Sequence, residues 1–328
     1  MKYVRIAALC AAGLSYASVL NAQVPNPAVW RFATGYRAES FHTENLMQFG
    51  QAVELASKRQ LRVEVAPNGS LFKLGDIFQA VQDGKVEAGE TILTSVVKDI
   101  PIAGADSVPF VVSSYRRAQR LWQVQRPGLE REFAQRGLKI LYAVPWPPQG
   151  LYTTRPVTTV NDFRNMKMRT YNQTTVRIAE MLGATPVDVA MVDVDKAVKG
   201  GRLDAMITSA VTGVENKVWG PIKYYYEISA WFPKNIVFVN AKSFDALTPE
   251  ARAAVLKAAA EAESRGWVAS EGLAQTSTKE LQANGIRIER ISPDLEIDFR
   301  RIGERFSREW VRSVGHQASE IFVPYYFN

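Results

Sequence analysis

The feature that most constrains the fold is a regular alternation of short apolar strands with helices in the first third of the chain. The pattern predicts strands at 29–35, 61–67 and 86–92, separated by helices at 43–58 and 74–83. Strands that alternate with helices at this spacing favour a parallel or mixed sheet wrapped by helices. The sequence therefore predicts an α/β fold.

A second unit of the same kind follows a cluster of three prolines. Residues 145–150 read PWPPQG, and a further βα pattern occupies 151–204. Because proline fixes φ and excludes helix, the cluster predicts a stiff, exposed connector between two α/β units. Residues 231–236 predict a second crossover between the units. The hydroxyl, proline and acid at 248–250 predict the start of a long helix.

The amino terminus predicts export. Lys2 and Arg5 precede an apolar run over 6–20, and the small residue Ala22 follows at a cleavage position. This combination is typical of a signal peptide. Cleavage would remove Cys10, the only cysteine, so we expect neither a disulfide nor a thiolate metal site in the exported protein.

The charge of the chain argues against nucleic acid as a partner. The formal net charge is +7 and falls to +5 without the two cations of the signal peptide. The surplus is dispersed and forms no basic stripe of the kind that nucleic-acid-binding proteins carry. It fits a periplasmic protein that handles acids.

One arginine is a candidate for binding a small anion. A short strand carries Met166, Met168 and Arg169, and a helix follows from about Thr174. The planar guanidinium matches a carboxylate with two parallel hydrogen bonds and stays charged at any working pH. The alternative, on spacing alone, is a surface arginine that lies beside the sheet.

Residues suited to catalysis are scarce. His42 and His316 are the only histidines, and no nucleophile elbow, phosphate loop or dinucleotide fingerprint is visible. The spacing of three aspartates, Asp188, Asp193 and Asp195, fits a solvated loop and a helix start better than a catalytic carboxylate site. The sequence therefore predicts no catalytic residue, no metal ligand and no cofactor.

Aromatic residues flank the predicted crossovers. They are Trp146, Trp219, Trp231 and the run 224–226. Aromatic walls with a few polar groups are typical of small-molecule clefts, although each of these residues also suits an apolar core. The sequence therefore favours binding of a small molecule over catalysis.

Five segments of the chain, taken in order, resemble a known family. They are VEVAPNGSLFKLGDIFQAVQDGKVEAG (63–89), DSVPFVVSSY (106–115), VNDFRNMKMR (160–169), MLGATPVDV (181–189) and DKAVKGGRLDA (195–205). With the signal peptide, they resemble the DctP-type solute-binding proteins of tripartite ATP-independent periplasmic (TRAP) transporters. The resemblance covers most of the mature chain.

This resemblance implies a two-domain, bilobal periplasmic-binding-protein fold that closes at a hinge over an organic acid. A long helix and strand crossovers link the lobes. The family pairs the substrate carboxylate with one arginine, which maps onto Arg169. The expected division is a signal peptide at 1–22, a first lobe of 23–148 plus 236–285, and a second lobe of 149–235 plus 286–328 that includes a C-terminal helical extension.

Two departures from the family bear on the ligand. Sialic-acid-binding members carry a second arginine, and Gln149 occupies its position here. An asparagine that binds ligand in many members is replaced by Thr208. These changes argue against sialic acid and give no ground for assigning a dicarboxylate, so the identity of the ligand stays open.

The predicted function is the solute-binding subunit of a TRAP transporter, which binds a small carboxylate and delivers it to the membrane permease subunits. We expect a periplasmic monomer. A ligand-presenting sensor subunit and an exported hydrolase are the alternatives. The predicted substrate-binding residues are Arg169, Gln149, Asn172, Trp146, Ser209, Trp219, Glu90 and Tyr36.

Overall fold

The computed structural model describes residues 27–327. The predicted signal peptide at 1–22 lies outside the described residues. Within them the chain forms two sheets surrounded by helices, which is the α/β arrangement that the sequence predicts. No helix between residues 27 and 327 is long and apolar enough to cross a membrane.

The elements follow one another with the expected alternation. The first part of the chain forms β1 (Ala28–Thr34), α1 (Phe41–Ala56), β2 (Leu61–Ala66), α2 (Ile77–Gln82), β3 (Ala88–Ile92), α3 (Tyr115–Gln135), β4 (Leu138–Pro145), β5 (Gln149–Thr153), β6 (Lys167–Thr170), α4 (Gln173–Met181) and β7 (Thr185–Asp188). The second part forms α5 (Val194–Lys199), β8 (Ala205–Ser209), α6 (Ala210–Glu215), β9 (Tyr224–Tyr226), β10 (Lys234–Asn240), α7 (Ala241–Asp245), α8 (Pro249–Ala283), β11 (Arg287–Glu289), α9 (Pro293–Val314) and α10 (Gln317–Phe327).

The first sheet has the strand order β2-β1-β3-β10-β4. Strand β1 is parallel to β2 and β3, whereas β10 is antiparallel to β3 and β4. Thr34 at the end of β1 lies opposite Glu90, and Val237 of β10 lies opposite the same glutamate. The ends of β1 and β3, which carry these polar residues, therefore lie side by side at one end of the sheet. We call the layers around this sheet the first lobe.

The second sheet has the order β11-β9-β5-β8-β6-β7, and the layers around it are the second lobe. Strand β6 is parallel to β7 and β8, while β5 is antiparallel to β8. Arg169 on β6 lies between Val187 of β7 and Met206 of β8. This register places the arginine near the carboxyl end of a central strand, where α/β sheets usually bind ligands.

The two crossovers between the sheets are bonded to each other. Trp146 N–H donates to the Pro233 carbonyl oxygen at 2.8 Å, and Gln149 N–H donates to the Trp231 carbonyl oxygen at 3.0 Å. Trp146 and Gln149 are buried as a result. The expectation of an exposed connector at 145–150 is therefore wrong, because the second crossover covers the first. The exact lobe boundaries stay a prediction.

Helix α8 packs on both lobes. It contacts α1 and β4 on the first lobe, and α6 and β11 on the second. Thr248 caps its start by accepting a hydrogen bond from Ala251 N–H at 3.1 Å, as the sequence predicts. A Cβ on Gly266 would lie 2.4 Å from Cγ2 of Val144, so glycine is what allows the helix to approach β4 this closely.

Candidate functional site

A buried hydrogen-bond network lies at the end of the first sheet where β1 and β3 finish, and Asn235 is its centre. Asn235 Oδ1 accepts hydrogen bonds from the Tyr36 hydroxyl at 3.1 Å and from Trp146 Nε1 at 2.8 Å. Its Nδ2 donates to Glu90 Oε1 at 3.1 Å. The four residues come from β3, β10, the end of β4 and the loop after β1. The amide orientation of Asn235 is therefore fixed by its partners.

Glu90 is an unusual carboxyl group because it is buried and no lysine or arginine within residues 27–327 forms an ion pair with it. Thr34 Oγ1 donates to its Oε2 at 2.8 Å. Burial raises the pKa of Glu90 to about 7, although the hydrogen bonds from Thr34 and Asn235 favour the charged form. His42 Nδ1 lies 3.5 Å from Glu90 Oε1. Because burial lowers the pKa of His42 well below its usual value, the imidazole is neutral and this contact is not an ion pair.

Aromatic rings form a rigid wall around this network. The ring of Trp146 has its centre 5.3 Å from that of Tyr36, 5.4 Å from that of Phe41 and 4.3 Å from that of His42. All four side chains are buried. Such packing holds the Tyr36 hydroxyl and the Trp146 indole in place, and a ligand would meet groups that are already oriented.

Arg169 presents a positive charge inside the second lobe. Its side chain is 4% exposed, and its Nε donates to the Val189 carbonyl oxygen at 3.0 Å. The guanidinium carbon lies 4.6 Å from the centre of the Tyr171 ring. Burial lowers the pKa of Arg169 from its usual value, yet an arginine keeps its proton in proteins, so the group stays cationic.

The guanidinium of Arg169 forms no close ion pair within residues 27–327, although the Asp188 carboxylate acts on it at longer range. Within residues 27–327 no carboxylate oxygen lies within 4.0 Å of its nitrogens, and neither terminal nitrogen hydrogen-bonds to the protein. Buried charges in proteins are normally paired. An unpaired fork of donors on a rigid strand is an arrangement suited to a carboxylate ligand.

The network of the first lobe faces this arginine. Tyr171 of the second lobe, Tyr36 of the first lobe and the more distant Asp188 act to raise the pKa of Arg169 against the effect of burial. Tyr171 also packs against the apolar cluster of the first lobe. The two lobes are thus in contact around Arg169, and the predicted residues Tyr36, Glu90, Trp146 and Arg169 lie in one region.

Asn172 connects the lobes directly. Its Oδ1 accepts a hydrogen bond from Thr175 N–H at 2.9 Å and so caps α4. Its Nδ2 donates to the hydroxyl of Thr94, which follows β3 in the first lobe. Asn172 therefore belongs to the contact between the lobes as well as to the helix start.

Gln149 and Ser209 lie directly opposite each other on β5 and β8. Gln149 Nε2 donates to the Pro147 carbonyl oxygen at 2.8 Å. Ser209 caps α6 by accepting a hydrogen bond from Thr212 N–H at 3.3 Å. Both side chains therefore stabilise the local backbone, and each keeps an oxygen that can accept a further hydrogen bond.

Trp219 lies in the second lobe, outside the hydrogen-bond network around Asn235. It is partly buried against a separate apolar cluster that contains Val218 and Ile222, and its backbone forms an isolated bridge with Ile222. The structure thus brings seven of the eight predicted residues near the junction of the lobes, while Trp219 packs against a cluster that also contains Val189 and Met206, the neighbours of Arg169. Their roles in binding stay predictions.

Sequence reasoning missed three residues of this region. Asn235 lies within the predicted second crossover. Tyr171 lies two positions after Arg169. His42 fits an ordinary helix residue in the sequence, yet it contacts Glu90 at the end of the network. Only Tyr171, two positions after the arginine, carries a local signal, because alternate residues of an extended segment share a side of the sheet.

Comparison with known proteins identifies the family. The model of the DctP family, the bacterial extracellular solute-binding proteins of family 7, matches residues 32–312. The chain belongs to this family. It is also 24% identical over 229 residues to a solute-binding protein of Albidiferax ferrireducens, a match that covers 68% of this chain and 67% of that protein.

Solved structures of the family superimpose over nearly the whole chain. DctP6, an extracytoplasmic solute receptor of Bordetella pertussis that binds pyroglutamic acid, is 35% identical with a TM-score of 0.90, and the match covers 92% of this chain and 100% of DctP6. A TRAP solute-binding protein from a marine metagenome, specific for pyroglutamate, is 32% identical with a TM-score of 0.89, and the match covers 92% of this chain and 99% of that protein.

These findings confirm several predictions from the sequence. The chain is a DctP-family solute-binding protein with the expected two-lobe α/β fold. Its place outside the cytoplasm is confirmed at the level of the family, whose members are extracellular solute-binding proteins.

Proposed function

We propose that this protein binds a small organic carboxylate between its two lobes and delivers it to the permease subunits of a TRAP transporter. The observation that carries the proposal is the buried Arg169 guanidinium, which forms no close ion pair within residues 27–327 and offers its terminal nitrogens to a ligand. A carboxylate supplies the missing charge and accepts both hydrogen bonds of the fork.

We propose further that the ligand is pyroglutamate or a closely related cyclic amino acid derivative. DctP6, DctP7 and the marine protein, which bind pyroglutamic acid or pyroglutamate, are 32–35% identical to this chain. The polar groups of the first lobe favour a ligand that has a single carboxylate. The groups it offers are the neutral Tyr36 and Asn235 and the acidic Glu90, which would repel a second carboxylate.

The remaining site residues take roles that follow from their positions. Arg169 pairs with the carboxylate, while Tyr36 and Glu90 bond the polar edge of the ring. Trp146 forms the wall. The junction of the lobes is lined by Gln149, Asn172 and Ser209. We expect their hydrogen bonds to the ligand to form only when the lobes close. Trp219 stays a predicted wall residue, since the cluster that holds it also contains Val189, the hydrogen-bond partner of Arg169.

The protein acts as a receptor rather than an enzyme in this proposal, and it works as a monomer in the periplasm. The one buried histidine near the site, His42, is neutral and lies behind Tyr36 and Trp146 in the aromatic wall. Ligand incubated with the protein for many hours should therefore be recovered unchanged.

The test is calorimetric titration with a matched panel of compounds. Pyroglutamate and its uncharged amide differ only at the carboxylate, whereas proline, glutamate and succinate differ from pyroglutamate in the ring or in the number of charges. We expect pyroglutamate to bind and its amide to bind at least about 30-fold more weakly, because the amide lacks the charge that Arg169 requires. Equal binding of acid and amide would contradict the role of Arg169, and binding of succinate alone would contradict the ligand class.

A further inference from the structure

Arg37 joins the lobes at a second place, apart from the network around Asn235. It lies in the loop between β1 and α1, and its Nη1 donates to the Glu215 carbonyl oxygen at 3.0 Å. Its Nη2 donates to the Val192 carbonyl oxygen at 2.8 Å and lies 3.5 Å from Asp195 Oδ1. One side chain of the first lobe therefore binds two separate segments of the second lobe.

The carboxyl group of Glu215 lies at the same junction, against the start of α1. Its Oε2 is buried and has no hydrogen-bond partner within residues 27–327, and the neighbouring Ser40 hydroxyl is buried without a partner as well. Glu39 and Glu44 lie at the same end of α1. A carboxyl group of the second lobe is thus pressed against an acidic part of the first.

The charged groups around Glu215 act in opposite directions. Burial, with smaller contributions from repulsion by Glu39 and Glu44, raises the pKa of Glu215 to about 7, and the nearby Arg37 guanidinium only partly counteracts this. The amino end of α1 favours a negative charge, but the two glutamates at that end offset it. Helix α8 also packs on α6, and none of its charged side chains is among the groups that shift this pKa.

Separation of the lobes removes these constraints. Glu215 leaves the surface of the first lobe, becomes hydrated, and its pKa returns toward the ordinary value of 4.5. Arg37 loses its two carbonyl partners in the same step. The closed form therefore holds a proton on Glu215 over a pH range in which the open form has released it.

We propose that Arg37 and Glu215 form a latch that couples closure of the lobes over the ligand to the uptake of one proton by Glu215. The inference rests on the proposed function, since a ligand that binds between the lobes draws its affinity from the stability of the closed form. Arg37 acts as a positioning residue, because its partners are carbonyl groups of the second lobe rather than the ligand.

The direction of the pH effect follows from linkage. A group whose pKa is higher in the closed form stabilises that form at low pH, and the stabilisation is lost as the pH rises through the closed-form pKa. With values of about 7 closed and 4.5 open, affinity should fall by up to about 20-fold between pH 5.5 and pH 7.5. The carboxyl group of pyroglutamate is ionised throughout this range.

The test compares ligand binding by the wild type and three variants at pH 5.5 and pH 7.5, with pyroglutamate as the probe. Glu215→Gln imitates the protonated carboxyl, so it should bind more tightly than the wild type at pH 7.5 and lose most of the pH dependence. Arg37→Gln should bind more weakly at both pH values, and its pH dependence should move to higher pH. The exposed Glu280→Gln variant is the control and should behave as the wild type does.

A second readout works without any ligand. A fluorophore pair on Arg62→Cys and Lys199→Cys, one exposed position on each lobe, reports the closed fraction. This fraction should be larger at pH 5.5 than at pH 7.5 in the wild type and in Glu280→Gln, and it should change little with pH in Glu215→Gln. Glu90 also titrates near pH 7, and the difference between wild type and Glu215→Gln removes its contribution. If pyroglutamate fails to bind at all, the proposed ligand is wrong, while the closed fraction still decides the latch. If the wild type and Glu215→Gln show the same pH dependence in either measurement, the proposed latch of Arg37 and Glu215 is wrong.

Discussion

Replacing Arg169 with methionine should remove most of the ligand affinity while leaving the fold intact. Methionine keeps an unbranched apolar stem of similar reach beside the Tyr171 ring, so the packing is largely preserved. What it removes is the charge, the fork of donors and the hydrogen bond to the Val189 carbonyl oxygen. Val189 is 3% exposed, so water does not readily replace the lost donor, and the free energy of unfolding should fall by about 1–3 kcal/mol while the protein stays folded.

The size of the effect follows from the burial of the arginine. The Arg169 side chain is 4% exposed and forms no close ion pair within the described chain, so its pair with a carboxylate forms away from water. Truncating one partner of such a pair costs about 2–5 kcal/mol, which corresponds to about 30-fold to several thousand-fold in Kd. Arg169→Lys keeps the charge but loses the planar fork, and it should fall between methionine and the wild type.

The assay is calorimetric titration with pyroglutamate at pH 6, together with thermal unfolding with and without ligand. Arg62, an exposed arginine of β2 with 61% of its side chain accessible, provides the matched control. Arg62→Met should leave Kd unchanged. A folded Arg169→Met protein that binds pyroglutamate within threefold of the wild type would refute the carboxylate-binding role of Arg169.

Two further substitutions test the scaffold of the site. Asn235→Leu leaves the Tyr36 and Trp146 donors buried without an acceptor. It should therefore lower the free energy of unfolding by about 1–3 kcal/mol and weaken ligand binding. Wild-type results in both urea unfolding and calorimetric titration would contradict the role of Asn235 in the network. Gly150→Ala places a Cβ 2.3 Å from the buried Tyr225 ring and should cost about 1–3 kcal/mol in urea unfolding, a prediction that fails if the variant is as stable as the wild type.

Local chemistry made much of the fold predictable. The start of α8 at Thr248 depends on a hydroxyl, a proline and an acid within three positions, and the structure places the cap where this pattern predicts it. The strand that carries Arg169 and the helix after it are likewise visible from the periodicity. Such features depend on neighbours in sequence, so a single sequence contains them.

Contacts between distant parts of the chain were not predictable in the same way. Tyr36 and Asn235 bond each other across 199 positions, and nothing near either residue indicates the other. The prolines of 145–150 indicate an exposed connector because their φ restriction is local, whereas their burial depends on residues 231–233. For the same reason the sequence could not show that Trp146 joins the buried network around Asn235 while Trp219 packs in a different apolar cluster.

The most direct test of the account is a crystal structure of the protein with pyroglutamate bound. Both carboxylate oxygens should lie within hydrogen-bond distance of the terminal nitrogens of Arg169, with the ring against Trp146 and its polar edge toward Tyr36 and Glu90. A bound ligand whose carboxylate faces the first lobe, with Arg169 left unpaired, would contradict the central claim.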